Sequence, residues 1–204
     1  MLKASPGFTL VELLISISIL SGMTYISVQK FKTIEQNDSL SAGAARVATI
    51  IRKAQNLAQS GKQTQYPLAN GYGVRIEKAA GANLTGSALL FVDLNSSDPV
   101  HPNFAGLWKW DASILAPATA VDRQIDQTVS PDITAKNIVV IDTVTVGVTS
   151  VAGADVFYHT PDALGRIDGT LVDDRVVITL KNKKTNKTKD VIVSRISGRV
   201  EIGP

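Results

Sequence analysis

Hydrophobic and polar residues follow three different patterns along this chain, and each pattern predicts a different element. The first is a predominantly apolar run from Phe8 to Val28, in which Glu12 is the single charged residue. A helix rises about 1.5 Å per residue, so this run is long enough to cross a hydrocarbon core about 30 Å thick. The run therefore predicts a membrane-length helix near the start of the chain.

The second pattern begins at Leu40, where apolar residues return at intervals of three and four while charged residues fall on the other side. Its apolar positions are Val47, Ile51, Ala54 and Ala58. Together the two patterns predict one long helix from Phe8 to about Ser60, apolar all round at first and amphipathic afterwards. Gly22 and Gly43 are candidate bends in this helix.

The third pattern begins beyond Gly61, where the hydrophobic period changes to two, as is typical of β-strands. The predicted strands are Tyr72–Glu77, Ala88–Asp93, Asn137–Val148, Val156–His159, a strand through Val176, Ile178 and Leu180, Val191–Ile196 and Arg199–Ile202. The stretch Asp98–Pro131 is less regular and is expected to hold loops with one or two weak strands. A strand-rich region after a single helix predicts an α+β fold, in which the amphipathic half of the helix packs on an antiparallel β-sheet domain.

Length and composition bound the organisation of the chain. Most of its 204 residues lie beyond the apolar run, which is enough for one domain with its own core. We expect a leader at residues 1–7, a transmembrane or filament-core helix at 8–28, an amphipathic helix at 29–60 and a β-rich globular domain at 61–204. The chain has no cysteine, so disulfides and cysteine-bound metals are not available. The 21 Lys and Arg residues nearly balance the 18 Asp and Glu residues, and this net charge alone does not indicate nucleic acid.

The junction before the apolar run carries the strongest functional signal. Gly7 ends a short polar leader, Phe8 begins the apolar run, and Glu12 follows at the fifth position of that run. A lone carboxylate costs about 2.5–3.5 kcal/mol at the centre of a bilayer, so this charge needs a partner. The arrangement resembles the class III leader of type IV pilins and type II secretion pseudopilins.

This resemblance implies a route of maturation and assembly. A prepilin peptidase would cut between Gly7 and Phe8 and methylate the new amine of Phe8, and Glu12 would pair with the Phe8 amine of a neighbouring subunit. The implied partners are prepilin peptidase, other pilin or pseudopilin subunits, an inner-membrane assembly platform and, before assembly, membrane lipid. The implied location is the inner membrane, crossed once with the globular domain outside the cytoplasm, and then the filament.

Two other interpretations of the first thirty residues stay open. An ordinary secretory leader also has a charged start and an apolar core, and Ser21-Gly22 could mimic its cleavage site. The core of such a leader would then have to contain Glu12, together with the polar residues Ser16 and Ser18. By its length alone, the run also suits a plain membrane anchor.

The remainder of the chain resembles a narrower group, the GspH/FimT-type minor pseudopilins and minor pilins. The similar features are the second helical segment from Ala44 to Ala58, the strand Gly71–Ile76 and the closing segment Ser197–Ile202. This resemblance implies a low-abundance subunit at or near the filament tip, where it helps assembly to start. It does not indicate whether the filament is a secretion pseudopilus, a type IV pilus or a competence pilus.

Signals for catalysis and for metal binding are weak. His101 and His159 are far apart and match no metal-ligand spacing, so a membrane-anchored enzyme is disfavoured and no cofactor is expected. A weak calcium candidate follows the second predicted strand, where oxygen ligands alternate as they do in calcium loops. Its residues are Asp93, Asn95, Ser97 and Asp98. A capped turn after the strand explains the same residues.

A basic loop near the end of the chain raises the alternative function. The segment Lys181–Lys189 places five lysines in a predicted hairpin loop, which could hold DNA phosphates or could simply solubilise the loop and protect a sheet edge. The candidate DNA contacts are Lys183, Lys184, Lys187, Lys189, Arg195 and Arg199. Some FimT-like minor pilins capture DNA through a glycine–arginine motif with a second arginine. Gly198 and Arg199 match its start, but Glu201 replaces the second arginine and would repel phosphate. DNA capture at a pilus tip is therefore the alternative.

Overall fold

The computed structural model of the chain describes residues 9–60, 71–81, 83–93, 123–124, 128–132, 136–159, 165–167 and 174–203. Within these ranges one α-helix precedes ten β-strands. The helix is α1 (Leu10–Gln59), and the strands are β1 (Gly71–Glu77), β2 (Ser87–Asp93), β3 (Arg123–Gln124), β4 (Val139–Val146), β5 (Thr149–Val151), β6 (Gly153–His159), β7 (Gly165–Ile167), β8 (Arg175–Asn182), β9 (Thr188–Ser194) and β10 (Val200–Ile202). The predicted α+β class is confirmed.

The chain divides into two compact units, residues 1–38 and residues 39–204. The described part of the first unit is helical from Leu10 onward. In the second unit, the remainder of α1 and the ten described strands fold together. The helix itself is unbroken between Leu10 and Gln59, close to the limits that the sequence pattern predicts.

The described strands form two five-stranded sheets, in which every pairing between neighbours is antiparallel. Their strand orders are β3-β2-β1-β6-β7 and β10-β9-β8-β4-β5. The sequence pattern predicts a single sheet, because alternation reports which face of a strand is buried but not which strands are neighbours. The two sheets meet where the β1–β2 connection bonds to β4: the N–H of Ala79 donates to the oxygen of Ile141 (2.9 Å), and the N–H of Ile141 donates to the oxygen of Thr85 (2.8 Å).

One hydrophobic core joins the buried face of α1 to the inward faces of both sheets. The positions of α1 that the pattern predicts as apolar contacts are all fully buried: Val47, Ile51, Ala54 and Ala58. Alternate residues of the strands pack against them, including Val74, Leu90 and Val156 from the first sheet and Ile178 and Val191 from the second. The predicted packing of the amphipathic half of the helix is therefore confirmed.

Gly43 is a packing position in α1. A Cβ atom at Gly43 would lie 2.7 Å from the carbonyl oxygen of Pro131 and 3.1 Å from Cγ1 of Val139. Only glycine lets the helix approach this part of the second unit so closely. A Cβ atom at Gly22 would meet nothing within 4 Å. Both glycines lie inside the unbroken helix. Only Gly43 is required by its surroundings.

The predicted strand Asn137–Val148 is wrong at both ends, for reasons of backbone conformation. β4 covers only Val139–Val146. Asn137 has a φ of 54° and Gly147 a φ of 60°, in the left-handed region that extended strands do not use. The chain turns at Gly147 into β5, which like β7 is three residues long and too short for a period of two to show.

Candidate functional site

Thr9 and Glu12 form a capping box at the start of α1. The backbone N–H and the side-chain hydroxyl of Thr9 both donate to Oε2 of Glu12, at 3.0 Å and 2.9 Å, and the backbone N–H of Glu12 donates to Oγ1 of Thr9 at 3.3 Å. This reciprocal arrangement satisfies donors that the first turn of a helix leaves without partners. Gly7 and Phe8, the predicted cleavage and methylation residues, lie outside the described residues.

The two carboxylate oxygens of Glu12 are used differently. Oε2 accepts both hydrogen bonds from Thr9, whereas Oε1 accepts none from the part of the chain that the structure describes. The residue is also exposed. Glu12 therefore presents one bonded oxygen and one open oxygen, and a carboxylate in this state can accept a further bond from a donor on another molecule.

The helix that carries Glu12 has an apolar surface that no described part of the chain covers. Among the described residues, α1 is the one helix whose length and composition would let it cross a membrane. From Leu10 to Val28 its large apolar side chains are exposed, by 77% at the first and 45% at the last. Water is a poor solvent for such a surface, so lipid or other apolar helices are its suitable surroundings.

Four of the hydroxyl side chains within this apolar half of α1 are satisfied inside the helix. Four hydroxyl groups each donate to the carbonyl oxygen four residues earlier, at 2.7 to 2.9 Å. They belong to Ser16, Ser18, Thr24 and Ser27. Unbonded polar groups are costly in hydrocarbon, and these bonds remove that cost. Glu12 is the one charged side chain of this segment, so a partner outside the helix matters most for it.

The segment Lys181–Lys189, called the lysine hairpin from here on, forms the predicted turn between β8 and β9. Asn182 is fully buried, and its Oδ1 accepts the backbone N–H groups of Lys184 (2.9 Å) and Thr185 (3.2 Å). Asn186, with a φ of 56°, donates its backbone N–H to the oxygen of Asn182 at 2.8 Å. These bonds fix the shape of the turn.

The structure separates the six predicted DNA contacts into two groups. The lysine hairpin holds Lys183, Lys184, Lys187 and Lys189, and the turn after β9 holds Arg195 and Arg199. Between the two turns runs β9, whose seven residues span about 20 Å. The lysines and the arginines therefore lie at opposite ends of one strand and do not form one cluster.

Within the described residues, the two arginines are paired with carboxylates, and the hairpin lysines are not. Nη2 of Arg195 lies 3.2 Å from Oδ1 of Asp174, and Nε of Arg199 lies 2.7 Å from Oε1 of Glu201. Among the described residues, the lysine hairpin takes part in no salt bridge. Of the six candidate residues, the four lysines of the hairpin are therefore the cations not neutralised by a described carboxylate.

The calcium candidate lies almost entirely outside the described residues. Asp93 ends β2, while Asn95, Ser97 and Asp98 belong to a stretch that is not described. The calcium site therefore stays a prediction. Across the described ranges, no group of three or more His, Cys, Asp and Glu side chains could hold a metal ion.

Sequence reasoning missed two polar arrangements. The first is the part played by Thr9, although a threonine three positions before a glutamate is the spacing of a capping box and could have revealed it. The second is the buried carboxylate of Asp155, which pairs with Arg75 across β6 and β1 (Oδ2–Nη1, 3.0 Å) and is 1% exposed. No local pattern predicts this pair, because only strand register brings the two residues opposite each other.

Comparison with known protein families identifies the N-terminal motif. A family model described as the prokaryotic N-terminal methylation motif matches residues 2–21, which include the predicted cleavage site and Glu12. No curated protein and no solved structure matches the chain. The chain therefore carries a prepilin-type N-terminal motif, which supports the class of type IV pilins and pseudopilins, a family of structural subunits.

Proposed function

We propose that this chain is a structural subunit of a type IV pilus or of a type II secretion pseudopilus, and that it catalyses no reaction. It is made with a leader at residues 1–7, cut between Gly7 and Phe8 by prepilin peptidase, and methylated on the Phe8 amine. The prepilin-type motif at residues 2–21 supports this route. The observation that carries the proposal is Glu12, the single charge of the apolar run from Phe8 to Val28, with one carboxylate oxygen that accepts no bond from the described residues.

Before assembly, residues 8–28 lie in the cytoplasmic membrane, and the compact unit lies outside the cytoplasm. The apolar side chains face lipid, and four of the hydroxyl groups are bonded within the helix, which lowers their cost in hydrocarbon. The two bonds from Thr9 partly offset the hydration that the Glu12 carboxylate loses. The waiting monomer is thus tolerated in lipid but retains one unsatisfied charge.

Assembly supplies the missing partner for that charge. The amine of Phe8 on a neighbouring subunit bonds to Oε1 of Glu12, while Oε2 stays with Thr9. Opposite charges attract strongly where water is excluded, and a short ion pair fixes the axial position of one helix against the next. Moving an apolar helix from lipid into an apolar bundle changes little hydrophobic burial, so the ion pair sets the register. An inner-membrane assembly platform is the proposed place of this transfer.

Within this class, the chain is proposed as a minor subunit of the GspH/FimT type, of low abundance and placed at or near the filament tip. Three features of the structure agree with the resemblance. The amphipathic half of α1 packs on strands, Gly71–Ile76 lies within β1, and Val200–Ile202 forms β10, which pairs with β9. These features support the subtype through the order of its elements.

DNA capture at a pilus tip is the second candidate function. Lys183, Lys184 and Lys187 are exposed and form no salt bridge with the described residues, and exposed cations attract phosphates with a strong dependence on salt. The ion pairs of Arg195 and Arg199 reduce the positive charge at the other end of β9. Among the six candidate residues, a DNA-binding role would therefore depend mainly on the lysine hairpin.

Replacing Glu12 by glutamine tests the assembly step, because Glu12→Gln removes the charge and keeps the shape of the side chain. In cells that hold the matching prepilin peptidase and filament system, the leader should be removed normally. Incorporation into sheared filaments should fall at least about tenfold, since breaking a buried ion pair costs about 3–5 kcal/mol. Immunoblots of the membrane and sheared-filament fractions measure both quantities.

The matched control for this experiment is Glu35→Gln. Glu35 is an exposed carboxylate of the same helix beyond the apolar run, so its replacement changes the net charge equally and should leave incorporation unchanged. Incorporation of Glu12→Gln at the wild-type level would contradict the proposed function. A Glu12→Gln protein that retains its leader would show that the carboxylate acts in processing rather than in assembly.

A further inference from the structure

The lysine hairpin is anchored at the end of the second unit where α1 enters that unit. Nζ of Lys189 donates to Oγ of Ser41 at 3.1 Å, and Ser41 is the third residue of the unit. Lys183 bonds twice: its Nζ donates to the oxygen of Leu84 (3.3 Å), and its backbone N–H donates to the oxygen of Ile138 (2.9 Å). The position of the hairpin at this entry end is therefore fixed by side-chain and backbone bonds.

The hairpin presents positive charge that no described carboxylate neutralises. Lys184 and Lys187 are exposed and form no side-chain bond with the described part of the chain. The buried carboxylate of Asp132, on a neighbouring segment, is already bonded to the backbone N–H of Ile138 at 2.6 Å. Asp190 follows the hairpin on β9 and is partly buried. The exposed side of the hairpin is thus cationic.

The chain ties this cationic end of the unit to the apolar segment by a short connection. Val28 ends that segment and precedes Ser41 by thirteen residues. Thirteen residues span at most about 45 Å even when fully extended. A short tether gives the hairpin a high effective concentration at any surface in which the apolar segment is held.

We propose that the lysine hairpin docks the second unit on an anionic lipid surface while the subunit waits in the membrane. Ammonium groups attract phosphate-bearing headgroups, and at about 0.1 M salt this attraction reaches about 10 Å. A lysine is a compact charge on a flexible stem, which suits a fluid array of headgroups better than a single fixed anion does. The inference rests on the proposed membrane anchoring and is independent of filament assembly.

The location of the charge favours lipid over DNA as the occupant. The arginines that would extend a DNA contact lie about 20 Å away along β9 and are paired with carboxylates. Lipid headgroups, by contrast, stay within reach of the hairpin for as long as the apolar segment is held in the membrane. Docking would hold the unit in one orientation until its helix is extracted, and assembly would then have to release the hairpin.

The absence of cysteine allows a site-specific test with the full-length chain. Thr188 is exposed and makes no side-chain bond with described residues, so a donor dye on the Thr188→Cys protein reports the position of the hairpin. The protein is reconstituted in vesicles of phosphatidylcholine, alone or mixed with phosphatidylglycerol, with an acceptor dye on a fraction of the headgroups. Energy transfer should be higher in the anionic vesicles and should fall to the phosphatidylcholine level in high salt.

Variants with neutralised lysines show which residues cause the lipid-dependent energy transfer. Each lysine near an anionic surface favours the docked state about fivefold, so the double replacement Lys184→Gln and Lys187→Gln should reduce the docked-to-free ratio about 25-fold at low salt. The matched control is the double replacement Lys53→Gln and Arg175→Gln, which removes the same charge at exposed positions outside the hairpin. This control should keep the energy transfer of the parent protein.

Three outcomes would overturn the docking proposal. They are equal energy transfer in both kinds of vesicle, equal loss in both double variants, and binding of labelled duplex DNA through Lys184 and Lys187 without any approach to lipid. An alkaline wash of the vesicles separates this proposal from the anchoring on which it rests. Release of the chain by the wash would refute anchoring, whereas a retained chain without lipid-dependent energy transfer would refute docking alone.

Discussion

The two halves of α1 use the same secondary structure for opposite purposes. In the first half, Ile15 and Ile19 are each exposed by more than half of their surface, at 55% and 57%. In the second half, Val47 and Ile51 are completely buried against the sheets. Both halves contain many apolar residues, so their number does not separate them, but their period does. The second half stabilises the fold of a single chain, while the first half leaves its apolar surface exposed, and the proposed function assigns this surface to lipid and neighbouring subunits.

The largest expected difference between the halves comes from removing the same atoms in each. Ile51→Ala should lower the free energy of unfolding of the second unit by about 2–5 kcal/mol, because it leaves a cavity in the core. Ile15→Ala, at an exposed position of the same helix, should change this free energy by less than about 0.5 kcal/mol. Urea unfolding of the full chain in mild detergent measures both values. Equal losses of stability in the two variants would show that the two halves of α1 do not differ in their contribution to the fold.

Replacing a glycine by alanine should have effects of opposite sign in the two halves of α1: destabilising in the second half and stabilising in the first. Gly43→Ala would place a Cβ atom 2.7 Å from the oxygen of Pro131 and should cost about 1–3 kcal/mol of stability. Gly22→Ala meets nothing within 4 Å and should instead raise the helix-forming tendency by about 0.5–1 kcal/mol. Urea unfolding of the second unit measures the effect of Gly43→Ala. The helical circular dichroism signal measures the effect of Gly22→Ala. Stabilisation by Gly43→Ala would show that the helix is not held closely there.

A smaller effect on the free energy of unfolding is expected at alkaline pH, and it comes from Tyr158. Burial raises the pKa of the Tyr158 phenol above its ordinary value near 10. The folded state therefore favours the neutral phenol, so its contribution to stability is complete below about pH 10. As the pH rises further, that contribution falls by up to about 1.4 kcal/mol per pH unit.

The replacement Tyr158→Phe should flatten this loss of stability above about pH 10. The phenol oxygen of Tyr158 has no hydrogen-bond partner within the described structure, so the variant should lose little stability at neutral pH. Tyr25→Phe, at an exposed site in the first half of α1, is the matched control and should leave the slope unchanged. An equally steep slope in Tyr158→Phe would show that another group causes it.

The parts of the fold that leave a local record in the sequence were predictable. A helix that buries one face repeats its apolar residues at fixed spacing, and Val47 and Ile51 lie at the core as that spacing predicts. Strand pairing leaves no such record, since Arg75 and Asp155 meet through the register of β1 and β6. For the same reason the sequence predicts one sheet where the described strands form two.

The features of the candidate site also divide into those that local spacing predicts and those that depend on tertiary packing. The role assigned to Glu12 follows from its distance to the leader junction, and the capping part of Thr9 could have been predicted from its spacing to Glu12. The lysine hairpin is also a local feature, and its turn is where the pattern places it. Its attachment to Ser41 depends on tertiary packing, and no spacing along the chain could have predicted that contact.

The proposed maturation is tested most directly by the intact mass and the N-terminal residue of the protein, purified from cells with and without prepilin peptidase. Protein from cells with the peptidase should begin at Phe8 and carry one extra methyl group, and protein from cells without it should retain Met1. A chain that begins near Gly22, or one that retains Met1 in both kinds of cell, would contradict the proposed route and with it the role of Glu12 in a filament.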